Sequence, residues 1–511
     1  MTFDSINPAS GDKVNSFEQM SGDEVQAILQ KCCEAQRGWA NTPFSERARL
    51  LTAVAELLLE NKQDYARPMT EEMGKVYPQG IAEVEKCALG CQYYARHAEK
   101  FLAPEDVVTE AHHSFVNYKP LGVVLAVMPW NFPLWQVFRF AAPALMAGNA
   151  ALLKHAPNVF GCALLIERIF AEAGLPENLF RSLIIDVPQT TRVIQNPLVA
   201  AVSITSSVAA GRAVAGEAGR VLKKCVLELG GSDAFIVLED ADIDQAVEVG
   251  IIGRFQNSGQ SCIAAKRFIV LESVYEEFEN KFVDKASQLK MGDPSEQGVY
   301  IGPLARLDLR DGLHHQVQRS VDAGAKLLLG GEVPDGPGAF YPATVLAGVE
   351  PGVAAWSEEL FGPVAAILKA GILKHGSPRA EVEKTIENSA LHELARLERG
   401  LAVLASASNI APIIGFLGTV VGMIASFDAI ASQGLNNPAL VAKGISVALL
   451  TTAYGLVVAF VTQPFYNFFT SRIAVFVREM ETSANILLET FAEMDSQPAT
   501  QRVAKAPAAS S

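Results

Sequence analysis

The spacing of hydrophobic residues divides the first 372 residues into helical and strand-like stretches. From Ser21 to about Lys100, apolar residues recur every three to four positions, which is the period of an amphipathic helix. Ser21-Gly-Asp-Glu24 has the spacing of a capping box at the start of this region. Pro120 to Val127 is a nearly unbroken apolar run, which is typical of a parallel strand covered on both faces. The pattern therefore predicts helices first and a buried sheet after them.

Strand-like and helix-like stretches continue to alternate after this run. Helices are predicted at 135–146 and 161–173, and a long helix is predicted to end at Leu289. Strands are predicted at Ala150–Lys154, Leu183–Val187, Ala200–Thr205, Ala234–Leu238, Phe268–Leu271 and Ala325–Leu329. This alternation favours a doubly wound α/β fold with a parallel sheet.

The pattern changes beyond residue 372. Leu401–Phe427 and Gly444–Ser471 contain no charged residue, and each exceeds the roughly 20 residues that cross a bilayer as a helix. Asp428 and Lys443 are expected in the loop between these two spans. The flanking basic residues, which place both outer ends in the cytoplasm, are Lys384, Arg396, Arg399, Arg472 and Arg478. A charged helix is predicted before the spans and an amphipathic helix after them, at Arg379–Arg399 and from Arg472 to about Met494.

Charge and cysteine content narrow the function classes. Residues 1–372 hold 32 Lys and Arg against 45 Asp and Glu, so they carry nearly all of the chain's net charge of −14. Because no basic face is available to meet phosphates, a nucleic-acid partner is excluded. The seven cysteines are irregularly spaced, which indicates reduced cytosolic thiols and no metal site. Met1–Phe17 is polar, so no signal peptide is expected.

Three residues in this first part are candidates for catalysis. Cys262 lies in Asn257–Ile263, a loop of small polar residues that we expect to be flexible and to let a thiolate face a ligand; most cysteines are instead small core residues. Glu228 is expected inside an apolar strand, where a carboxylate is costly unless it has a use; alternatively it lies at a surface or salt-bridged strand end. Asn131 stands between two prolines and is either a rigidly presented amide or an ordinary turn residue.

Four motifs in chain order resemble the aldehyde dehydrogenase superfamily, and this resemblance covers residues 1–370. They are Met128–Pro133, Glu228-Leu-Gly-Gly231, Gly259-Gln-Ser-Cys262 and Glu359-Leu-Phe-Gly-Pro-Val364. The contexts Leu134–Arg139 and Leu152–Val159 are most similar to the succinate-semialdehyde dehydrogenase branch.

The resemblance implies a reaction through a covalent thioester. Cys262 attacks the aldehyde carbonyl, Asn131 stabilises the oxyanion, and Glu228 activates the water that releases the acid. Arg139 is expected to bind the remote carboxylate of succinate semialdehyde or a similar short aldehyde; alternatively it is a helix arginine that pairs with a neighbouring acid.

The resemblance also implies NAD or NADP as cofactor. The cofactor-binding candidates are Trp130, Lys154, Ser207, Gly211, Glu359 and Phe361. Lys154 would hold the adenosine ribose, the helix that follows Thr205 would receive the pyrophosphate, and Glu359 with Phe361 would hold the nicotinamide end. Pro157 stands where NAD-selective relatives carry an acid, so no carboxylate repels the 2′-phosphate of NADP at that position.

The two uncharged spans resemble the ExbB/TolQ/MotA proton-channel family over residues 380–495. Asn409–Ile424 and Gly444–Leu456 carry the resemblance. It implies an oligomeric pore with an ExbD/TolR-like partner, in which Thr419 and Thr452 face the pore; alternatively both hydroxyls bond a backbone carbonyl of their own helix. The glycines of the first span are expected to permit close helix packing.

These observations predict six segments in the chain. They are an NAD(P)-binding domain (1–230), an incomplete catalytic domain (231–370), a junction with a cytoplasmic helix (371–400), a two-helix transmembrane hairpin (401–471), a cytoplasmic helix (472–495) and a disordered tail (496–511). The prediction is a homo-oligomeric aldehyde dehydrogenase in the cytoplasm, attached to the inner membrane by the hairpin, or wholly cytoplasmic if the tail is an artefact. The alternatives are a proton-channel subunit and a non-functional chimera of the two.

Overall fold

A computed structural model describes residues 1–369, 400–433 and 438–496. The chain separates into two compact units, Met1–Ala370 and Gly371–Ser511, so the division coincides with the change in hydrophobic pattern. The helix predicted at Arg379–Arg399 and nearly all of the tail predicted to be disordered lie outside the described residues.

The first unit begins with a strand pair and four helices. They are β1 (Thr2–Ile6), β2 (Lys13–Glu18), α1 (Gly22–Trp39), α2 (Phe44–Glu60), α3 (Lys62–Met73) and α4 (Tyr77–Phe101). The capping box predicted at the start of α1 is present, because the Ser21 hydroxyl accepts from the Glu24 amide and the Glu24 carboxylate accepts from the Ser21 amide. Gly74 ends α3 in the left-handed conformation, which glycine adopts without a steric penalty.

A five-stranded parallel sheet follows a short strand pair formed by β3 (Glu105–Asp106) and β4 (Phe115–Val116). Its strands are β5 (Val123–Met128), β6 (Ala150–His155), β7 (Phe180–Ser182), β8 (Val199–Ser206) and β9 (Lys224–Leu229), in the order β7-β6-β5-β8-β9. The connecting helices are α5 (Trp135–Met146), α6 (Phe160–Glu172), α7 (Val187–Gln195) and α8 (Val208–Arg220). The strand order reverses between β5 and β8, where a doubly wound sheet opens a crevice at the carboxyl ends of its strands.

One predicted strand of this sheet is wrong. The apolar run at Leu183–Val187 follows β7 and leads into α7. Asp186 caps α7, because its side chain accepts from the Gln189 amide at 2.8 Å. Leu183, Ile184 and Ile185 are buried all the same, and burial of an irregular segment produces the same hydrophobic pattern as a buried strand.

A second five-stranded sheet completes the first unit. Its strands are β10 (Asp233–Val237), β11 (Ala265–Val270), β12 (Lys326–Leu329), β13 (Thr344–Ala347) and β14 (Val364–Lys369), in the order β10-β11-β14-β13-β12. Its helices are α9 (Ile243–Phe255), α10 (Glu272–Ser287), α11 (Leu307–Asp322) and the short α12 (Ala354–Ser357). β14 runs parallel to both of its neighbours in the centre of the sheet, so residues from the end of the described unit form its core.

The second unit consists, in its described part, of two helices, α13 (Leu401–Gln433) and α14 (Pro438–Ser496). Val403–Ser432 and Ala442–Val475 are long and apolar enough to cross a membrane, by length and composition. The prediction of a loop around Asp428 and Lys443 is wrong, since both residues lie inside helices. The separate helix predicted from Arg472 is the continuation of α14, because an apolar run that ends without Gly or Pro does not end the helix.

Glycines face the partner helix where α13 and α14 contact each other. A Cβ added at Gly418 would overlap the side chain of Thr451, and one at Gly422 would meet the backbone of Gly444. The close packing predicted from these glycines is therefore present within the hairpin.

Candidate active site

The turn after β5 carries Asn131 and is held by hydrogen bonds from three sides. The Asn131 carbonyl accepts from Lys75 Nζ at 3.1 Å and from Asn257 Nδ2 at 2.8 Å. His155 lies 2.9 Å from the Pro133 carbonyl through Nε2, and its Nδ1 accepts from the Ala156 amide. Burial lowers the pKa of His155 to about 4, so the imidazole is neutral near pH 7 and donates through Nε2. The turn is thus rigid, as the two prolines predict.

A buried ion pair supports this turn from α4. Glu83 accepts from the backbone amides of Leu134 and Trp135, both at 2.9 Å, and its carboxylate contacts Lys75 Nζ. The Lys75 ammonium also lies 3.9 Å from the centroid of the Phe132 ring. The motifs did not reveal this pair. Its only signal in the sequence is that Glu83 shares the buried face of α4 with apolar residues.

The loop before Cys262 has an unusual backbone and is not the flexible loop that its composition predicts. Asn257, Ser258 and Gly259 have φ values of 57°, 53° and 71°, which is the left-handed region. The Ser258 hydroxyl donates to the Gly302 carbonyl at 3.1 Å and accepts from the Gly302 amide at 3.0 Å. These residues are buried, and a buried backbone with its polar groups paired is held in place.

The structure brings Asn131 and Cys262 to the same cleft. Asn131 Nδ2 donates one of its two hydrogens to the Gln260 carbonyl at 3.1 Å, so its second N–H remains for an oxyanion. Its Oδ1 is buried and, in the described part of the chain, has no hydrogen-bond partner. Cys262 itself is partly exposed, which leaves its thiol open to a substrate.

Glu228 lies near the end of β9, beside Arg139. β9 is an edge strand with mostly exposed side chains, so the expectation of a carboxylate inside an apolar strand is wrong. Glu228 Oε2 lies 3.6 Å from Arg139 Nη1, and Arg139 Nη2 donates to Thr205 Oγ1 at 3.3 Å. The alternative of a helix arginine paired with an acid is therefore what the structure shows. The residues that line the cleft include Leu229 and Gly230 but neither Glu228 nor Arg139.

Glu359 and Phe361 approach the cleft from the loop after α12. The rings of Phe361 and Trp130 meet edge to face at 5.7 Å, and both line the cleft. A Cβ at Gly230 would overlap a carboxylate oxygen of Glu359. Gly230, the first glycine after Glu228, therefore admits the Glu359 side chain because it has no Cβ.

The cleft has a volume of about 820 Å³ and continues to the carboxyl ends of β6 and β8. The Lys154 side chain is almost fully buried near the carboxyl end of β6, and this burial lowers its pKa to about 8. Within the described ranges, no carboxylate lies at ion-pair distance from its ammonium. The helix N-terminus at Ser207, whose hydroxyl accepts from the Ala210 amide, faces the same space. A buried ammonium and a helix N-terminus in an elongated cleft fit a dinucleotide.

Gly211 has a packing role in this region. It is buried within α8, and a Cβ there would overlap Leu229 of β9. The neighbouring residues Ala210 and Arg212 line the cleft. Gly211 therefore brings α8 close to the sheet.

The remaining six cysteines are free thiols, of which four are buried. Burial raises the pKa of Cys87, Cys91 and Cys162, so these thiols are protonated and unreactive near pH 7. In the described residues, no group of three His, Cys, Asp or Glu side chains could hold a metal ion.

In the second unit, the hydroxyls of Thr419 and Thr452 contact each other between α13 and α14. Thr452 Oγ1 also lies 3.1 Å from the Ala448 carbonyl of its own helix, and Thr419 Oγ1 lies 3.3 Å from the Gly415 carbonyl. Both hydroxyls thus bond a backbone carbonyl of their own helix, which is the alternative to a pore-facing role.

Two family profiles match the chain. Residues 1–376 match the aldehyde dehydrogenase family, and residues 360–482 match the MotA/TolQ/ExbB proton channel family. Both matches confirm the resemblances stated from the sequence.

Individual relatives support the first match. The succinate semialdehyde dehydrogenase [NAD(P)+] of Escherichia coli is 46% identical over 405 residues, which are 78% of this chain and 88% of that protein. A probable succinate-semialdehyde dehydrogenase [NADP(+)] of Synechocystis is 50% identical over 71% of this chain and 80% of its own length. The crystal structure of succinic semialdehyde dehydrogenase from Streptococcus pyogenes in complex with NADP+ has a TM-score of 0.71 and 34% identity, covering 74% of this chain and 82% of that chain. The predicted α/β fold is confirmed.

Proposed function

The chain belongs to the aldehyde dehydrogenase family, and from this we propose that it oxidises a short carboxylated aldehyde, such as succinate semialdehyde, to its acid. The observation that carries the proposal is the shared cleft, which is lined by Cys262, Asn131 and the buried side chain of Lys154. The cleft therefore combines a nucleophile, an oxyanion donor and groups suited to bind a dinucleotide, as a single oxidation reaction requires.

Cys262, Asn131 and Glu228 each have a different role in the proposed oxidation. The Cys262 thiolate attacks the aldehyde carbon, and the free N–H of Asn131 stabilises the oxyanion; one such donor contributes about 3 kcal/mol in other enzymes. NAD or NADP, when bound, accepts the hydride. Glu228 then takes a proton from the water that attacks the thioester, and the acid leaves while the Cys262 thiolate is restored.

Arg139 supports the choice of a carboxylated substrate. In the structure its guanidinium faces Glu228 at 3.6 Å, and its side chain is about one-third exposed. A substrate carboxylate would replace this loose pair with a charge-assisted bond. Binding of the substrate would then free Glu228 to act as a base.

The cofactor end of the cleft supports NADP as well as NAD. Lys154, Ala156 and Pro157 line it without an acid at the position after Ala156, so a 2′-phosphate meets no repulsion there. Lys154 would hold the adenosine ribose and its 2′-phosphate, the N-terminus of α8 would receive the pyrophosphate, and Glu359 with Phe361 would hold the nicotinamide end.

The experiment that tests the function is aldehyde-dependent formation of NADPH or NADH by the full chain in detergent. Cys262→Ser should lower the rate by at least about a thousandfold, because a serine hydroxyl stays protonated at neutral pH. Cys33→Ser is the matched control, since Cys33 is also partly exposed but lies on α1, and it should keep the activity of the unchanged chain. A well-folded chain that forms no reduced cofactor would refute the proposal.

The division of the first unit follows its two sheets. We propose that residues 1–230 form the NAD(P)-binding domain and residues 231–370 the catalytic domain, since β5–β9 lie in one sheet and β10–β14 in the other. Exposed apolar residues on and beside the β3–β4 pair, such as Val108 and Phe115, support self-association into a homo-oligomer.

For the second unit we propose attachment to the inner membrane, with the dehydrogenase part in the cytoplasm. The two long apolar spans, Val403–Ser432 and Ala442–Val475, support it, since most of their described side chains are exposed. The family match and the Thr419–Thr452 contact support a second candidate function, that of a proton-channel subunit with an ExbD/TolR-like partner. Proton flux through reconstituted vesicles that is lost in Thr452→Val would favour this function over a passive anchor or a non-functional chimera.

A further inference from the structure

Lys266 carries a fully buried ammonium four residues after the proposed nucleophile. It is the second residue of β11, and its side chain is 0% exposed. Its Nζ donates to the Cys262 carbonyl at 2.8 Å and lies 3.4 Å from Glu359 Oε1. One lysine therefore contacts both the loop of the nucleophile and the carboxylate proposed to hold the nicotinamide ribose.

The Glu359 carboxylate depends on this contact. Its Oε1 is buried and accepts no regular hydrogen bond from any described residue, and its Oε2 lies against the backbone of Gly230. Burial lowers the pKa of Lys266, while the neighbouring Glu359 charge acts in the opposite direction. Removing the ammonium would leave a carboxylate oxygen buried without a countercharge in contact, which is strongly unfavourable.

A second buried cation nearby has a different role. Arg254 Nη2 donates to the Leu360 carbonyl at 3.0 Å and contacts the Gly362 carbonyl. It therefore holds the backbone on the far side of Glu359, whereas Lys266 contacts the carboxylate itself. The orientation of that carboxylate consequently depends on Lys266 more than on Arg254.

We propose that Lys266 is a positioning residue that orients Glu359 toward the nicotinamide end of the cofactor while holding the Cys262 loop in place. The inference rests on the proposed function and adds a residue that none of the sequence motifs contains. One buried charge then fixes the position of the Cys262 loop relative to Glu359. The adenosine end, held by Lys154, is independent of it.

Lys266→Gln tests this role, because glutamine can still donate to the Cys262 carbonyl but carries no charge for Glu359. The first readout is the binding of NADPH to the full chain in detergent. It is followed by the fluorescence of NADPH itself and by energy transfer from tryptophan, since Trp130 lines the cleft next to Phe361. We expect the dissociation constant to change by less than about threefold, while the fluorescence enhancement is largely lost because the nicotinamide is no longer ordered.

Steady-state kinetics give the second readout. In Lys266→Gln we expect kcat to fall by about tenfold or more, with the KM for aldehyde within about twofold. Lys266→Arg keeps a cation beside Glu359 and should recover part of both kcat and the fluorescence enhancement. Lys326→Gln, an exposed lysine of the same sheet, is the control that should change neither.

A double-mutant cycle with Glu359→Gln separates positioning from general structural damage. If Lys266 acts through Glu359, the kcat of the double variant should be no more than about twofold below that of the more impaired single variant. The proposal is overturned if the two losses multiply, if Lys266→Gln keeps the full NADPH enhancement, or if Lys266→Arg recovers nothing. Should the unchanged chain fail to oxidise aldehydes, the proposed function fails, while the NADPH fluorescence still tests Lys266.

Discussion

At the scale of single residues, the environment of each charged group decides what it can do. Lys154 and Lys266 are both buried, yet only Lys266 lies within ion-pair distance of a carboxylate in the described structure. Lys154 therefore remains available to an anionic ligand, and Lys266 is committed to the Cys262 loop and Glu359. Two lysines of similar burial thus have different functions because of what they contact.

The pKa of about 8 at Lys154 predicts how cofactor binding depends on pH. Raising the pH through 8 removes the proton, and a neutral amine cannot pair with a 2′-phosphate. Above pH 8 the affinity for NADP should fall by up to about tenfold per pH unit, whereas the affinity for NAD should change less. Titration calorimetry from pH 7 to 9.5 measures both, and Lys154→Met should abolish the difference between them. Equal profiles for NADP and NAD in the unchanged chain would contradict this assignment.

Arg139 predicts a selective effect on substrate binding. Arg139→Gln removes the charge that would bind a remote carboxylate, so the KM for succinate semialdehyde should rise by about tenfold or more. The KM for an uncharged aldehyde of the same chain length should stay within about twofold. A parallel change for both aldehydes would show that Arg139 acts only through Glu228.

At the scale of elements, the loop between α9 and β11 is determined by a neighbour that is distant in the sequence. A Cβ at Gly259 would overlap the backbone of Gly362. Gly259 also has a left-handed φ of 71°. The glycine of the Gly-Gln-Ser-Cys motif is therefore required twice, once by its own conformation and once by the Glu359 loop that crosses it.

This arrangement predicts a measurable difference between two glycines. Gly298 has a φ of 79° but no atom within 4 Å of an added Cβ, so Gly298→Ala should cost only the left-handed strain of about 1 kcal/mol. Gly259→Ala adds a backbone clash and should lower the free energy of unfolding by about 3 kcal/mol or more. Denaturant unfolding of both variants measures the two values. Similar losses would mean that the Gly362 backbone moves away easily.

The elements predicted most accurately are those whose local pattern is strong. The capping box at Ser21 and the helix at Trp135–Met146 lie where the sequence predicts them. The two-stranded pairs β1–β2 and β3–β4 were not predicted, because short and largely exposed strands carry no clear hydrophobic period. The central position of β14 also has no local signal, since strand order depends on pairing between distant segments.

At the scale of the whole molecule, an α/β unit and a helical hairpin share one chain but differ in how many apolar side chains they expose. Within Val403–Ser432 and Ala442–Val475, most described side chains are exposed and apolar, whereas the first unit encloses most of its apolar residues in cores around its two sheets. An apolar surface of this extent requires lipid or another protein to cover it.

This contrast predicts the behaviour of the chain in cell fractions. The full chain should sediment with membranes and resist extraction at alkaline pH, because moving two apolar spans into water is strongly unfavourable. A variant without residues 401–471 should be recovered in the soluble fraction. Immunoblots of both fractions measure this distribution. The membrane proposal fails if the full chain is found in the soluble fraction without detergent.

Local sequence determined much of this protein. The four motifs in order identified the family, the period of apolar residues predicted most helices and the buried strands β5, β6 and β8, and the uncharged spans predicted the hairpin. These features depend on residues a few positions apart, which is the range over which helix period, capping and turn chemistry act.

Tertiary structure decided how the site is held together. It placed Glu83 beneath the Asn131 turn, Gly362 against Gly259, and Lys266 against Glu359. It also paired Arg139 with Glu228 across two elements. Each outcome depends on desolvation and close contact between residues that are far apart in the chain, and such contacts leave no periodic pattern in the sequence.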